Sequence, residues 1–304
     1  MLLTRKSQLL IANDLDTLLP NFLISKLKGI PLIYDSHEIF TEVPELYHNR
    51  LKKKIWELLE SCIIPKLKFC VTVNDSIAEF FYKKYGVPFL VVRNIPDTTT
   101  RKLENLKSRH ELGLPENKKI VLLQGAGINM DRGAEELVIA MKYLQEDIML
   151  LIIGGGDVLE KLKQMTKDNS LTNKIRFISK IPAEELFHFT GNADLGITID
   201  KETNLNYRFS LPNKIFDYIH AEVPILASRL VEIEKIISTY TIGDFIDQHD
   251  PRHIALKIEA SLAHNDYKTW KLNLKTAKKE NNWAKERLKW KNLFDSISNN
   301  KKIP

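Results

Sequence analysis

The sequence predicts an α/β protein of two doubly wound domains, each a largely parallel sheet covered by helices. Three observations lead there. Between residues 118 and 228, short apolar runs alternate with helical segments, the pattern of strands buried on both faces. The first hundred residues repeat that alternation with fewer units. At 304 residues the chain has the length of about two ordinary domains.

The elements follow in order. "SQLLIAND" (7–14), "IPLIYDSHE" (30–38), "KFCVTVND" (68–75) and "FLVVRNIP" (89–96) read as strands. Between them "DTLLPNFLISKLKG" (16–29), "LKKKIWELLESCIIPKL" (51–67) and "SIAEFFYKKYG" (76–86) read as helices, and 98–106 as a linker. In the second half the strands are "KKIVLLQGAG" (118–127), "IMLLIIGG" (148–155), "KIRFIS" (174–179), "DLGITI" (194–199) and "VPILAS" (223–228). Its helices are 133–144, 158–169, 183–193 and 211–221. The C-terminal stretch shows helical patterns only, ending in "NNWAKERLKWKNLFDSI" (281–297). The expected domains are therefore 1–97 and 107–264, followed by C-terminal helices over 265–304 that cross back to the first domain.

Composition narrows the function. Hydrophobic residues make up 43% of the chain, enough for well-buried cores. No apolar run reaches the roughly 20 residues that a bilayer-spanning helix needs. "MLLTRKSQLLIAND" offers no small-residue cleavage site, so no signal peptide is read. Cys62 and Cys70 lie in apolar surroundings without metal-ligand spacing and are expected to be buried thiols of a reducing, cytoplasmic compartment. Residues 265–304 carry 11 Lys/Arg against 4 Asp/Glu within a chain of net charge +6. Without interleaved stacking aromatics this charge does not indicate nucleic acid. It is a solvated helix face or a peripheral contact with anionic lipid at the inner face of the membrane, to which "LKKKIW" (51–56) is a candidate addition.

"KIVLLQGAGINMDRGAEELVIAM" (119–141) has the layout of a strand, a phosphate-cradling turn and a helix start. A dinucleotide site wants G-x-G-x-x-G and an acid after the next strand. Gly125 and Gly127 fit, but Met130 holds the third glycine position and "LLIIGGGD" puts glycines where the acid belongs. The triphosphate motif G-x-x-x-x-G-K-[ST] is absent. What remains is Arg132 beside Gly133, a second Gly-rich turn at Gly154, and "SLPNKIFDY" (210–218). In the last, Pro212 presets a helix start whose nearby N–H groups are expected to point outward. Lys214 sits in the first turn, where the helix dipole disfavours a cation by about 0.3–1 kcal/mol, so an anion is expected nearby. Asp217, about one turn on, can accept hydrogen bonds from a ribose diol.

In their order and spacing these segments resemble a GT-B-fold glycosyltransferase, specifically glycosyltransferase family four. "LIYDSHEIFTEVPEL" (32–46), "CVTVNDSIAEFFYKKYG" (70–86) and "VVRNIPD" (91–97) are similar to the acceptor-side domain. "LLQGAGINMDRGAEELVIAM", "LLIIGGGDVLEKL", "IRFISKIPAEELFHFTGNADLGI" and "SLPNKIFDYIHAEVPILAS" are similar to the nucleotide-sugar domain. The resemblance implies two Rossmann-like domains facing a cleft. It implies that Arg132 and Lys214 hold the donor diphosphate, helped by the backbone of Ser210, Leu211, Pro212 and Asn213, with the turns at Gly125, Gly127 and Gly154. Asp217, where the family usually has glutamate, is implied to bind the ribose, Ile181 to meet the base through its backbone, and His37 of "DSHE" to touch the transferred sugar as the catalytic residue. Asn94 and the helix near Trp283 fit the places where the chain crosses between domains.

Such enzymes retain anomeric configuration and need neither metal nor cofactor, the nucleotide sugar being a substrate. The implied partners are a nucleotide-sugar donor and a glycan, lipid-linked or cell-surface acceptor, as in cell-envelope polysaccharide synthesis. Two departures stand out. The family's glutamate pair is not intact, since Phe209 lies eight positions before Asp217. The family's first strand and Gly-rich acceptor loop precede anything resembling "LLIANDLDTLLP", so a shortened N-terminal domain is expected. The alternatives are a nucleotide-binding protein without catalysis and a sugar-nucleotide epimerase.

Overall fold

A computed structural model describes residues 6–43, 46 and 49–299. The first five residues of the segment searched for a signal peptide, and Lys301 and Lys302 of the basic segment, lie outside them. In chain order the elements are β1 (Leu10–Asn13), α1 (Asp14–Lys28), β2 (Leu32–Ser36), α2 (Arg50–Ile63), β3 (Phe69–Thr72), α3 (Asp75–Tyr85) and β4 (Leu90–Val91). There follow β5 (Lys119–Gly125), α4 (Ala134–Ala140), β6 (Ile148–Gly154), α5 (Leu159–Asp168), β7 (Ile175–Ser179), α6 (Ala183–Gly191) and β8 (Leu195–Thr198). The chain ends with α7 (Leu205–Arg208), α8 (Lys214–His220), β9 (Ile225–Ser228), α9 (Val231–Tyr240), β10 (Gly243–Ile246), α10 (Pro251–Ala263), α11 (Tyr267–Glu280) and α12 (Trp283–Ser298).

Two compact units divide these elements. The first holds residues 1–94, 202–211 and 284–304, and the second holds 95–201 and 212–283. The stretch expected to be a linker, 98–106, belongs to the second unit. There Leu106 fills the space over Gly191, where a Cβ would come within 2.4 Å of it. Thr98 Oγ1 meets His220 Nδ1 in the same unit. Apolar docking and a half-buried polar contact hold the segment in that unit.

The first unit carries a parallel sheet in the order β1-β2-β3-β4. Its helix ends are built by local chemistry. Asn74 accepts the Ile77 N–H at the start of α3, and Gly86, at φ 69°, closes that helix with its N–H on Tyr82, the left-handed turn glycine adopts without a Cβ penalty. Tyr34, Phe81 and Phe89 centre the core, with Phe81 and Phe89 stacked at 4.6 Å. Cys70 is buried in that core, whereas Cys62 is exposed. The expectation of a second buried thiol fails because Cys62 falls on the outward face of α2, in helical register with Leu51, Ile55 and Leu58.

The second unit is a six-stranded parallel sheet, β10-β9-β8-β5-β6-β7. β6 is buried along its whole length and β5 along most of it, as their unbroken apolar sequence requires. Sequence patterning missed β10, a short "GDFI" strand with little apolar signal. From β5 the chain proceeds outward through β6 and β7. From β8 it proceeds the other way, through β9 and β10. The order therefore reverses between β5 and β8, the place where open α/β sheets form a binding crevice beyond the strand ends. Gly196 on β8 lets the Tyr218 ring lie against the strand, since a Cβ there would come within 2.6 Å of it. The Tyr218 hydroxyl donates to Leu122 O at 2.9 Å, which ties α8 to the reversal point.

Candidate functional site

The loops after β5 and β6 are laced together by backbone. Ile128 N–H donates to Gly155 O at 2.7 Å, and Gly155 N–H to Gly125 O at 3.1 Å. Met130 N–H donates to Asp157 Oδ1, and Asp157 N–H to Asn129 Oδ1. Glycine is obligatory in this contact. A Cβ on Gly154 would lie 1.8 Å from Gly125 O, and one on Gly156 would lie 2.0 Å from Ile128 O. Met130, in the expected third glycine position, is 66% exposed. The close approach to the sheet is made by Gly133, at φ 72°, where a Cβ would meet Ile199 O at 2.3 Å. The dinucleotide fingerprint failed on spacing because the packing glycine lies three positions later.

Arg132 is thus set between two left-handed residues, Asp131 at φ 65° and Gly133. Its Nη1 donates to Asp200 Oδ2 at 2.8 Å. Asp200 follows β8 and is fully buried, and its Oδ1 has no hydrogen-bond partner among the described residues. Lys214 opens α8 and is only 9% exposed. It makes no hydrogen bond or ion pair with any described residue. Its Cε approaches Gly125, 3.8 Å from where a Cβ would stand. Burial, with repulsion from Arg132, pushes the Lys214 ammonium pKa down, while Asp200 opposes the shift. Two cations and one buried acid thus gather at the ends of β5 and β8.

At the start of α8 the amides of Ile215, Phe216 and Asp217 donate to carbonyls of Pro212 and Asn213, which leaves the amides nearest Pro212, those of Asn213 and Lys214, to serve beside the Lys214 side chain. Asp217 is partly buried, and burial raises its carboxyl pKa against the opposing charge of Arg101 and the hydrogen bond from Gln124. Gln124 Nε2 donates to Asp217 Oδ2 at 3.1 Å, and Gln124 Oε1 accepts from Thr190 Oγ1 at 2.7 Å. That chain of side chains fixes the carboxylate.

The remaining expected residues lie elsewhere. Ile181 is in the loop after β7, two strands from β5 in the sheet. Gly127 is in the β5 loop, with its Cβ position 3.5 Å from Asn129 Nδ2. Ser210 and Leu211 belong with the first unit, while Pro212 and Asn213 belong with the second, so the expected four-residue backbone cradle spans the division. His37 is in the first unit, just after β2. Its N–H donates to Asp14 Oδ1 at 2.8 Å, and its Nε2 is 3.3 Å from Asp35 Oδ2. The Asp35 hydrogen bond raises the imidazole pKa, and burial only partly offsets it.

Asp200, Gln124 and Arg101 were not singled out from sequence. Asp200 had a readable signal, an acid two residues after the wholly buried strand "LGIT". Among the described residues no cluster of three or more His, Cys, Asp or Glu could hold a metal ion.

Comparison with known proteins follows the same lines. Residues 104–285 match the family model described as "Glycosyl transferases group 1". An uncharacterized glycosyltransferase of Methanocaldococcus jannaschii, MJ1069, is 24% identical over 292 residues, covering 91% of this chain and 72% of that protein. Among solved structures, sucrose-phosphate synthase from Thermosynechococcus elongatus matches at TM-score 0.75 and 16% identity, over 95% of this chain and 73% of that one. Anabaena Alr3699/HepE in complex with UDP matches at TM-score 0.75 and 15% identity, over 95% and 79%. These likenesses bear out the expected fold class, an α/β chain of the GT-B kind with two Rossmann-like domains.

Proposed function

Because the chain belongs to the glycosyl transferases group 1 family, we propose that it moves a sugar from a nucleotide-sugar donor to a glycan, lipid-linked or cell-surface acceptor, with retention of anomeric configuration and without a metal. The narrower placement in family four is part of this proposal. The observation that carries it is Lys214, a buried ammonium with no partner among the described residues, beside the Arg132–Asp200 pair. An unpaired buried charge is unfavourable unless a ligand completes it. A diphosphate would supply the missing anion, and the Anabaena protein is solved in complex with UDP.

In the proposed reaction the bond between the anomeric carbon and the diphosphate oxygen breaks, and its electron pair leaves with the diphosphate. Arg132 and Lys214 stabilise that developing charge. The acceptor hydroxyl bonds to the anomeric carbon from the same face, and its proton passes to the departing diphosphate. Asp217, steadied by Gln124, accepts from the ribose hydroxyls. Ile181 meets the base, and His37 is assigned to the transferred sugar. No protein nucleophile is used, so a carboxylate pair of the glycosidase kind is not needed. A cytoplasmic site of reaction is part of the proposal, on the grounds given from the sequence.

The test is a thermal-shift panel of uridine, guanosine, adenosine and thymidine diphosphates. At least one raises the melting temperature of the native chain, and Lys214→Met abolishes the shift. No shift with any of the four overturns the reading. Sugar release from the matching nucleotide sugar, in the presence of glycan or lipid-linked acceptors, then tests transfer. Epimerisation of the donor without transfer replaces the proposal with its epimerase alternative.

A further inference from the structure

α2 is apolar on two sides. Its inner face lays Trp56, Leu59 and Ile63 on the first unit's core. Its outer face exposes Leu51 (70%), Ile55 (56%) and Leu58 (65%). At 3.6 residues per turn these three fall within an arc of about 60°, so they form one row along the outside of the helix. Arg50, Lys52 and Lys54 flank the row, and Lys66 and Lys68 follow the helix. None of the five makes an ion pair with another described residue. The two acids of this stretch do not oppose them: Glu60 is fully buried under Lys84 and Tyr85, and Glu57 lies off the apolar row. α1, which packs beside α2, repeats the arrangement with exposed Leu19, Leu23 and Leu27 and with Lys26 and Lys28 in its last turn.

We propose that the outer face of α2, with the adjoining row of α1, is an interfacial docking surface for an anionic lipid bilayer. The leucines and isoleucine enter the boundary between headgroups and acyl chains, while the flanking lysines meet lipid phosphates with their stems along the apolar surface. Charge complementarity selects this occupant. In a symmetric dimer through the same face, the cationic flanks of the two copies would oppose each other. A bilayer rich in anionic lipid instead attracts each of them. The surface takes in the "LKKKIW" stretch (51–56) that the sequence offered only as an adjunct to the basic C-terminal segment, makes it the principal contact in place of α11 and α12, and does not rest on the sugar-transfer reading.

The test is co-sedimentation of the full chain with phosphatidylglycerol/phosphatidylcholine vesicles and with pure phosphatidylcholine vesicles. The native chain binds the anionic vesicles, and binding weakens at least about tenfold in Leu51→Ser/Ile55→Ser/Leu58→Ser and in Lys52→Glu/Lys54→Glu. It is retained in Lys271→Glu/Lys275→Glu on α11. All these positions are exposed, so unchanged melting temperatures and an unchanged nucleotide response in the second unit separate loss of docking from loss of folding or of the donor site. Failure of the native chain to bind anionic vesicles overturns the proposal. So does loss of binding in the α11 variant alone, or equal binding by the native chain and the α2 variants. Sedimentation velocity covers the rival occupant: a native dimer that the α2 variants convert to monomer assigns the face to a second copy and also overturns it.

Discussion

Replacing Lys214 should move stability and binding in opposite directions. In the ligand-free protein Lys214 is a buried ammonium without a partner among the described residues, and Asp200 already holds Arg132 at 2.8 Å. Lys214→Met keeps the aliphatic volume and removes the charge without stranding Asp200. Relief of an unsatisfied buried group of this kind is worth about 1–3 kcal/mol. At about 2–4 °C per kcal/mol for a domain of this size, the melting temperature of the second unit rises by several degrees. Binding falls, because a charge-assisted hydrogen bond to phosphate contributes about 1.5–3 kcal/mol, equivalent to about 10- to 150-fold in dissociation constant. The pH dependence carries the same sign. The folded pKa of Lys214 lies below its unfolded value of 10.5, so between the two the unfolded chain binds more protons and stability rises with pH. The native chain therefore gains on Lys214→Met as pH climbs toward that value. Calorimetry with and without nucleoside diphosphate, over a pH series, reads all three effects. A ligand-free Lys214→Met that melts lower than the native chain, or that binds diphosphate equally well, would refute the reasoning.

Arg132→Met should act oppositely on stability: it leaves the fully buried Asp200 carboxylate without its ion pair, and denaturant titration should show a loss of about 3–5 kcal/mol. Gly154→Ala should disrupt the laced turns and abolish the diphosphate thermal shift, because its Cβ would stand 1.8 Å from Gly125 O. Gly29→Ala is the control, with φ 63° and nothing within 4 Å of its Cβ, and should cost only about 1–2 kcal/mol of backbone strain. For His37 the folded pKa is raised above its ordinary 6.5, so its contribution is fully present below that value and fades as pH rises through the folded pKa. The stability gap between native and His37→Gln, measured by denaturation, should therefore be larger at about pH 5.5 than at about pH 9.

The sheet skeleton was legible because its strands are buried on both faces, and such strands leave unbroken apolar runs that local composition alone reveals. "IMLLIIGG" and "KKIVLLQGAG" fell within a residue or two of the strands at each end for this reason. β10 was not legible, since "GDFI" carries a glycine and an acid and becomes a strand only through pairing with β9. Cys62 misled because an apolar neighbourhood in sequence does not say which face of a helix a residue occupies. At the site, residue type signalled Arg132, Lys214 and Asp217, while Asp200 and Gln124 act through contacts formed across the sheet. The role of Gly133 was hidden by spacing, because the pattern sought a glycine at Met130, and only the approach to Ile199 shows which residue must lack a side chain.

The glycines and the charges are parts of one device. Without side chains at Gly154 and Gly156, the β6 loop can press its backbone on the β5 loop, and the contact fixes the path from Gly125 to Gly133. That path presents Arg132 at the end of β5, next to Asp200 at the end of β8, across the reversal in strand order. Tyr218, bonded to Leu122, holds α8 against the same two strands and so sets the depth of Lys214. Each cation is positioned by packing that exists before any ligand arrives, so the proposed reaction would need little reorganisation as charge develops on the diphosphate. The unfavourable burial of Lys214 is the stability cost of that readiness. It is tolerated because the surrounding strands β5, β6, β8 and β9 are almost wholly apolar and buried, and their hydrophobic stabilisation exceeds the penalty of one unpaired ammonium.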